Sequence, residues 1–379
     1  LGAGCFAKCN SLKEVTLRNS IKRIPESAFA DCTSLERITL PDSVKTIANK
    51  AFCNCTSLKK INLPSSLTTF NGEAFENCPV LDEISVDGTQ YATDGKLIYS
   101  NDKKTLILCM QNCEGEVIIP EGVTAISDGA FYDCQKITNV VLPEGLLSIG
   151  DNAFYNCVAL KKMVLPDTMT ELGSGAFWNC SGLQEITLSK QLETINDKVF
   201  WSCKALEQIQ IPEKVNTIGM YAFDGCSNLR KIQFPEEMQS IEQYAFRACT
   251  SLQELKIPTG ITKLPYYMCA GDTSLEKLIL PDSIKEIDNN VVSGGLESLK
   301  YVLFRGTQEQ WDAVKGNTAS VFSYPTLVLL RCSSLGDEKD APVMVQQPQE
   351  QEYIVGAEAN NNLKVEMKAP ENGAFYYYQ

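Results

Sequence analysis

The chain has 379 residues, more than one ordinary hydrophobic core fills, so it reads as several domains or a repeat array. Its 34 Lys and Arg stand against 47 Asp and Glu, a net charge of −13, which argues against nucleic acid or anionic lipid as a partner. It contains no histidine, which excludes Ser-His-Asp and Cys-His catalysis and every imidazole-dependent metal site, and no apolar run reaches the roughly 18 residues of a membrane span.

From the N-terminus, phenylalanine recurs at Phe6, Phe29, Phe52 and Phe75, each 23 residues after the last. The phase resumes at Phe131, Phe154, Phe177, Phe200, Phe223 and Phe246 and runs on through Cys269 and Val292, giving 12 units. In ten units a cysteine follows three residues later: Cys9, Cys32, Cys55, Cys78, Cys134, Cys157, Cys180, Cys203, Cys226 and Cys249. Each unit holds two short apolar segments, such as Leu58, Ile61, Leu63 and Pro64, then Leu67 and Phe70. The Ile-x-Leu alternation predicts a half-buried strand, and Pro stops it because it has no amide hydrogen for the ladder. A 23-residue unit cannot close a core alone, but stacked coils can. The period therefore predicts a β-rich repeat solenoid over residues 1–330, curved and right-handed, with a parallel sheet of about 12 coils spaced roughly 4.8 Å apart.

The succession of "AF" and "C", then "L..I.LP", then "V..I" resembles the BspA-like leucine-rich repeats of bacterial surface proteins, from residue 1 to about 330. The resemblance implies an exported, cell-surface module for adhesion or binding. The additional 33 residues between Phe75 and Phe131 include Asp94–Cys109, which is similar to the family's hairpin insertion. We place that insertion at about 86–118, with Asp102–Lys104 as its turn. Phe304–Val314 resembles the family's closing segment, within a C-terminal cap at about 304–330. There Thr307 and Gln310 have capping-box spacing, and Trp311 and Val314 share a helical face. Residues 331–352 lose the period and are rich in Gln, Glu, Pro and Ser, which reads as a linker. Residues 353–379 read as a β segment, either the first strands of an immunoglobulin-like domain or a tail pairing along the solenoid edge. The chain opens inside a unit at Leu1 with no polar cap, so the sequence reads as a fragment of a longer protein.

Sixteen cysteines invite disulfide or metal readings, but ten occupy one slot, and Cys5, Cys53 and Cys269 are also in register. A slot repeated coil after coil predicts a column of small, buried, reduced side chains donating to carbonyls in the bend. Cys109 and Cys113, in the insertion, are the only pair to watch for a bond, and the sequence leaves open whether they form one. The residues before the strand apolars, including Lys162, Glu185, Glu254 and Lys277, predict a solvated charge ladder rather than an acid–base pair. No catalytic, metal or cofactor site is expected.

Two patterns are candidates for ligand contact. The residue after the repeat Phe is aromatic in four successive coils, Tyr132, Tyr155, Trp178 and Trp201; Tyr221, Tyr244 and Tyr267 recur two residues before the Phe slot. Such rows offer rings to a sugar or protein surface, or else cover backbone over the bends. The outward strand residue forms the second pattern, running through Val141, Val164, Thr187, Gln210, Gln233, Lys256 and Ile279 and carrying little charge. A broad face low in charge suits a macromolecule. The sequence thus predicts a non-enzymatic cell-surface adhesion or binding module for a host or bacterial macromolecule, protein or glycan; the alternative is a structural spacer that presents another domain.

Overall fold

The computed structural model describes residues 1–316 apart from 89 and 295–297, together with the strands Val328–Arg331, Ile354–Val355 and Val365–Glu366. The chain divides into two compact units, Leu1–Leu206 and Glu207–Gln379. The architecture is a parallel-sheet β-solenoid of about 12 turns.

In the N-terminal unit each coil contributes a short inner strand. Glu14–Thr16, Arg37–Thr39, Lys60–Leu63 and Glu83–Val86 pair in parallel, so that Glu14, Arg37, Lys60 and Glu83 align across the sheet. The central residue of each strand points inward: Ile38, Ile61 and Ile84 are buried while their neighbours face out. A second, two-residue strand follows in each coil, as where Arg23–Ile24 pairs with Thr46–Ile47. Period-two burial over three residues is all that a coil needs, because its neighbours complete the sheet.

The bend carries the phenylalanines, which stack from coil to coil. Phe6, Phe29, Phe52 and Phe75 lie 5.2 to 5.6 Å apart, centroid to centroid, with planes within 7°. Phe131, Phe154, Phe177 and Phe200 repeat the arrangement, and so do Phe223 and Phe246 in the C-terminal unit. Backbone bonds run between coils here, such as Phe29 N–H to Ala51 O at 2.8 Å and Asp31 N–H to Cys53 O at 2.7 Å. The Cys thiols complete the set by donating to the Phe carbonyl 26 residues earlier. Cys55 to Phe29, Cys157 to Phe131 and Cys249 to Phe223 are 3.1 to 3.2 Å. Burial raises Cys55 to about 12 and Cys249 well above the usual thiol range, so these groups stay protonated donors.

Two residues after the Phe the backbone turns left-handed, with φ of 59° at Asp31, 58° at Asn54 and 60° at Asn156. Asn and Asp tolerate this region, and here their side chains also bond between coils. Asn77 Nδ2 donates to Asn54 Oδ1, and Asn54 Nδ2 to Asp31 Oδ1, each at 2.7 Å. A second ladder runs from Asn179 through Asn156 to Asp133, at 2.7 and 2.6 Å.

The insertion is an antiparallel meander of Tyr91–Thr93, Leu97–Ser100 and Thr105–Cys109. Its turn is tied by Asp102, which accepts from Ser100 Oγ and Lys104 N. Thr105–Cys109 also pairs in parallel with Ala125–Ile126, so the meander extends the second ladder. Cys109 N–H bonds Ala130 O at 2.6 Å, the bond a repeat Phe makes elsewhere. Gln111 bridges the coils on either side: Nε2 donates to Phe75 O and Tyr132 O, and Oε1 accepts from Cys78 N. Cys109 and Cys113 are free thiols, both buried.

In the C-terminal unit, Gln208–Gln210 pairs with Lys231–Gln233, and Glu254–Lys256, Lys277–Leu280 and Tyr301–Phe304 form a continuous ladder. The helix Gln308–Asp312 begins with a reciprocal capping box between Thr307 and Gln310, and Trp311 lies 5.1 Å from Phe304. Val314 is buried. The linker 331–352 and the β segment 353–379 lie almost wholly outside the described residues; within the latter, Ile354–Val355 pairs antiparallel with Val365–Glu366.

Three placements correct the sequence reading. Cys5 and Cys9 are exposed, whereas the other column cysteines are buried. Ile279, expected on the outward face, is buried between Lys256 and Leu303 of the flanking strands. Tyr132, expected in an exposed row, is 9% exposed for a reason that belongs to the bend surface below.

Truncating Phe177 should destabilise by about 3–5 kcal/mol, since it is fully buried and stacked on both sides. Denaturant unfolding of Phe177→Ala checks this, and an unchanged midpoint would remove the Phe column from the core. Thiol titration of the native chain should find Cys5 and Cys9 fast and the 13 cysteines buried among the described residues slow until denaturant is added.

Candidate binding surfaces

The bend surface is built from two columns: the residue after each Phe and the residue two before it. Side chains from one column reach the other. Lys198 Nζ sits 5.5 Å from the Trp178 ring and 5.7 Å from the Trp201 ring. Tyr132 and Tyr155 stack at 4.4 Å, Tyr155 meets Trp178 edge-on at 5.0 Å, and Trp178 and Trp201 stack at 4.5 Å with planes 8° apart. The four rings are thus in mutual contact, as their spacing predicts. Only three of them reach solvent. Tyr132 is covered because its coil lies against the coil of Phe75, bridged by Gln111; burial and the neighbouring Glu76 carboxylate push its phenol up.

In the C-terminal unit, Tyr221, Tyr244 and Tyr267 stack at 4.7 and 5.4 Å with planes within 10°. Their backbones are left-handed, with φ of 57°, 61° and 56°, at a slot that holds Gly4, Gly129 or Gly175 elsewhere. A bulky residue in that region costs about 1–2 kcal/mol. Stacking offsets it, together with Arg247, whose guanidinium lies 5.6 and 5.4 Å from the Tyr221 and Tyr244 rings. Arg247 is fixed in turn by a bidentate pair with the buried Asp224, at 3.0 and 2.7 Å. Face-to-face stacking covers the interior ring faces of the tyrosine row and leaves edges to solvent; in the other row the Tyr155–Trp178 contact is edge to face.

The inner sheet face is different. Ile118, Val141 and Val164 are 63%, 42% and 52% exposed, among the few large apolar side chains that are. They occupy one register across successive strands, Glu114–Ile118, Lys136–Val141 and Lys162–Val164, with Thr187 next in line. Asn139 donating to Glu116 at 2.7 Å, and the exposed Lys162–Glu185 pair at 3.2 Å, form a polar row beside this stripe. Such exposed pairs contribute about 0–1 kcal/mol, so they are readily exchanged for a partner's groups. Sequence reasoning passed over Ile118 because the insertion breaks the phase there. Its signal was present in Val117-Ile118-Ile119-Pro120, which matches Val140-Val141-Leu142-Pro143.

Along the corresponding face of the C-terminal unit, Gln210, Gln233, Lys231, Glu254 and Lys256 line an open, polar depression. Glu254 and Lys277 pair at 3.0 Å. Among the described residues no group of three or more His, Cys, Asp or Glu is placed to hold a metal ion, and no helix is long and apolar enough to cross a membrane.

A family model described as a BspA type leucine rich repeat region matches this chain in six copies, over residues 1–102, 108–227 and 193–312. Among solved structures, the chain is similar to a leucine-rich repeat protein from Eubacterium ventriosum, at 24% identity over 68% of this chain and 75% of that one, with a TM-score of 0.60. It is also similar to a leucine-rich repeat protein from Bacteroides ovatus, at 23% identity over 84% and 86%, with a TM-score of 0.52. A leucine rich cell surface protein from Faecalibacterium prausnitzii aligns at 26% identity over 80% and 82%, with a TM-score of 0.47. A search of curated proteins finds no match.

Trp178→Ala should destabilise the N-terminal unit by about 1–3 kcal/mol, because the ring has aromatic contacts on both sides. Thermal unfolding checks it. A melting curve like the parent's would mean that the stacked row carries no structural energy.

Proposed function

The chain belongs to the BspA-type leucine-rich repeat family, and on that premise we propose that it is a non-enzymatic binding module of the cell surface that contacts a macromolecular partner through its inner sheet face. The observation that carries the reading is the stripe of Ile118, Val141 and Val164, held in register on adjacent strands and left open to solvent. Branched apolar side chains on a rigid strand face lose little entropy on contact, and burying them against a partner removes apolar area from water. Thr187 and the Asn139–Glu116 row supply a polar margin.

A protein partner fits this stripe better than a glycan. Sugars stack on open aromatic faces, and the interior faces of the Tyr155–Trp178–Trp201 and Tyr221–Tyr244–Tyr267 rows are covered by their own neighbours. The exposed edges of these six rings are secondary contact candidates at the bend, and their main work is to lock coil to coil. Export to the cell surface and the adhesion role rest on the family resemblance.

The test is an array of extracellular-matrix proteins, bacterial surface proteins and glycans, followed by the double variant Val141→Glu with Val164→Glu. Binding to the identified protein should fall at least tenfold while thermal unfolding stays close to the parent's, because both side chains are already solvated. Undiminished binding by the double variant would move the contact to the ring edges, tested by Trp178→Ala with Trp201→Ala. No binding anywhere on the array would favour a spacer that presents another domain.

A further inference from the structure

In the C-terminal unit the thiol column stops after Cys249. Cys269 stands in the Phe slot of its coil, and the residue three later, where the column cysteine belongs, is Asp272. Asp272 is 1% exposed. Its Oδ1 accepts from Cys249 N–H at 2.8 Å, while its Oδ2 is buried and has no partner.

The regular coils say what this position normally does. A cysteine here donates to the Phe carbonyl 26 residues earlier, as Cys180 does to Phe154 at 3.0 Å and Cys249 to Phe223 at 3.2 Å. For residue 272 that acceptor is the carbonyl of Phe246, itself buried. Phe246 O accepts from Cys249 N–H at 3.2 Å and, with aspartate in place of cysteine, receives no thiol. The same Cys249 N–H is therefore shared between Phe246 O and Asp272 Oδ1. Two acceptors flank one hydrogen, and one of them belongs to a carboxyl group whose second oxygen has nothing to accept.

We propose that Asp272 is carried in the folded protein as the neutral acid, its Oδ2–H donating to the carbonyl of Phe246, so that it serves as a proton-operated latch between two coils of the C-terminal unit. One proton resolves both defects. It satisfies the orphaned oxygen and restores the second donor that Phe246 O has lost, and it removes a buried charge. The surroundings favour the same state. Asp224, two coils earlier, opposes a second negative charge; Arg247, in the coil between them, is spent on Asp224 through both its Nε and its terminal nitrogen. Burial keeps the thiols of Cys249 and Cys269 neutral, and the following coil presents Val291 and Val292. Burial holds the Asp272 carboxyl well above the usual carboxylate range.

The sign of the pH dependence follows. An unfolded aspartate loses its proton near pH 4, whereas the folded chain retains it to higher pH. Between those limits the folded state binds one more proton than the unfolded state, so stability falls as pH rises. Each pH unit shifts the opening equilibrium about tenfold. The stabilisation is full below about pH 4 and declines above it, while the folded chain keeps the latch proton until pH reaches the raised value of the buried carboxyl.

Asp272→Asn separates this from a merely structural role, because an asparagine amide donates to Phe246 O and accepts from Cys249 N–H at every pH. Hydrogen–deuterium exchange of the segment 245–275 in the full chain, between about pH 5 and 8, should show the parent losing protection with pH beyond the intrinsic rise in exchange. The Asn variant should follow the intrinsic rise alone. Infrared spectra of the parent with isotope-labelled aspartate supply a readout that does not require the variant to fold: a protonated-carboxyl band should persist at about pH 6, well above the titration of exposed aspartates. Equal pH profiles for parent and variant, or an infrared spectrum at that pH with carboxylate bands only, would overturn the proposal.

Discussion

Everything in this chain depends on a backbone that cannot satisfy itself within one repeat. Twenty-three residues make two short strands and a bend, and most of their amides have no acceptor inside the same coil. The bonds from Phe29 N–H to Ala51 O and from Asp31 N–H to Cys53 O show where the missing partners lie: in the next coil, at the same phase. Buried amides must be paired, so phase is enforced by hydrogen bonding before side-chain packing selects anything. Phenylalanine and cysteine then answer two different needs of one bend. The ring supplies apolar area at nearly constant spacing, and the thiol supplies a compact donor to a carbonyl that would otherwise have a single partner.

The same requirement explains how the fold tolerates interruption. The insertion departs from the sheet as a meander and returns with Cys109 making the amide bond of a repeat Phe, while the side chain of Gln111 replaces backbone groups that the shortened bend lacks. At Asp272 a carboxyl oxygen plays the part that Gln111 Oε1 plays at Cys78: in both places a side chain from the next coil reaches the amide of a column cysteine. Irregular coils are thus repaired at the bend, where unpaired groups are deepest.

The fold was legible because its period is written in residues that have few substitutes. Phe29, Phe52 and Cys55 announce the bend, and Ile61 with Pro64 announces the strand and its end. Less legible were features that depend on which coil meets which. Tyr132 obeys the same spacing as Tyr155, yet only the coil of Phe75 lying against it decides that it is buried. Ile279 looks outward by alternation and is covered by the strands beside it. Ile118 was masked by the insertion, although it belongs to the most exposed apolar stripe. The column of Asp31, Asn54, Asn77, Asp133, Asn156 and Asn179 drew no reading from the sequence; its meaning requires the left-handed backbone that Asn and Asp accept.

That column has a direction. Each asparagine gives an amide hydrogen to the preceding member, Asn54 and Asn156 also accept from the following one, and both ladders end on the same side in an aspartate, Asp31 or Asp133, which can only accept when ionised. Copying a coil that carries asparagine lengthens a ladder without loss, since the new amide both donates and accepts. Copying the aspartate coil sets two carboxylates face to face. Lengthening such an array is therefore asymmetric: an added asparagine coil costs a ladder nothing in its interior, and an added aspartate coil is penalised at its acidic end.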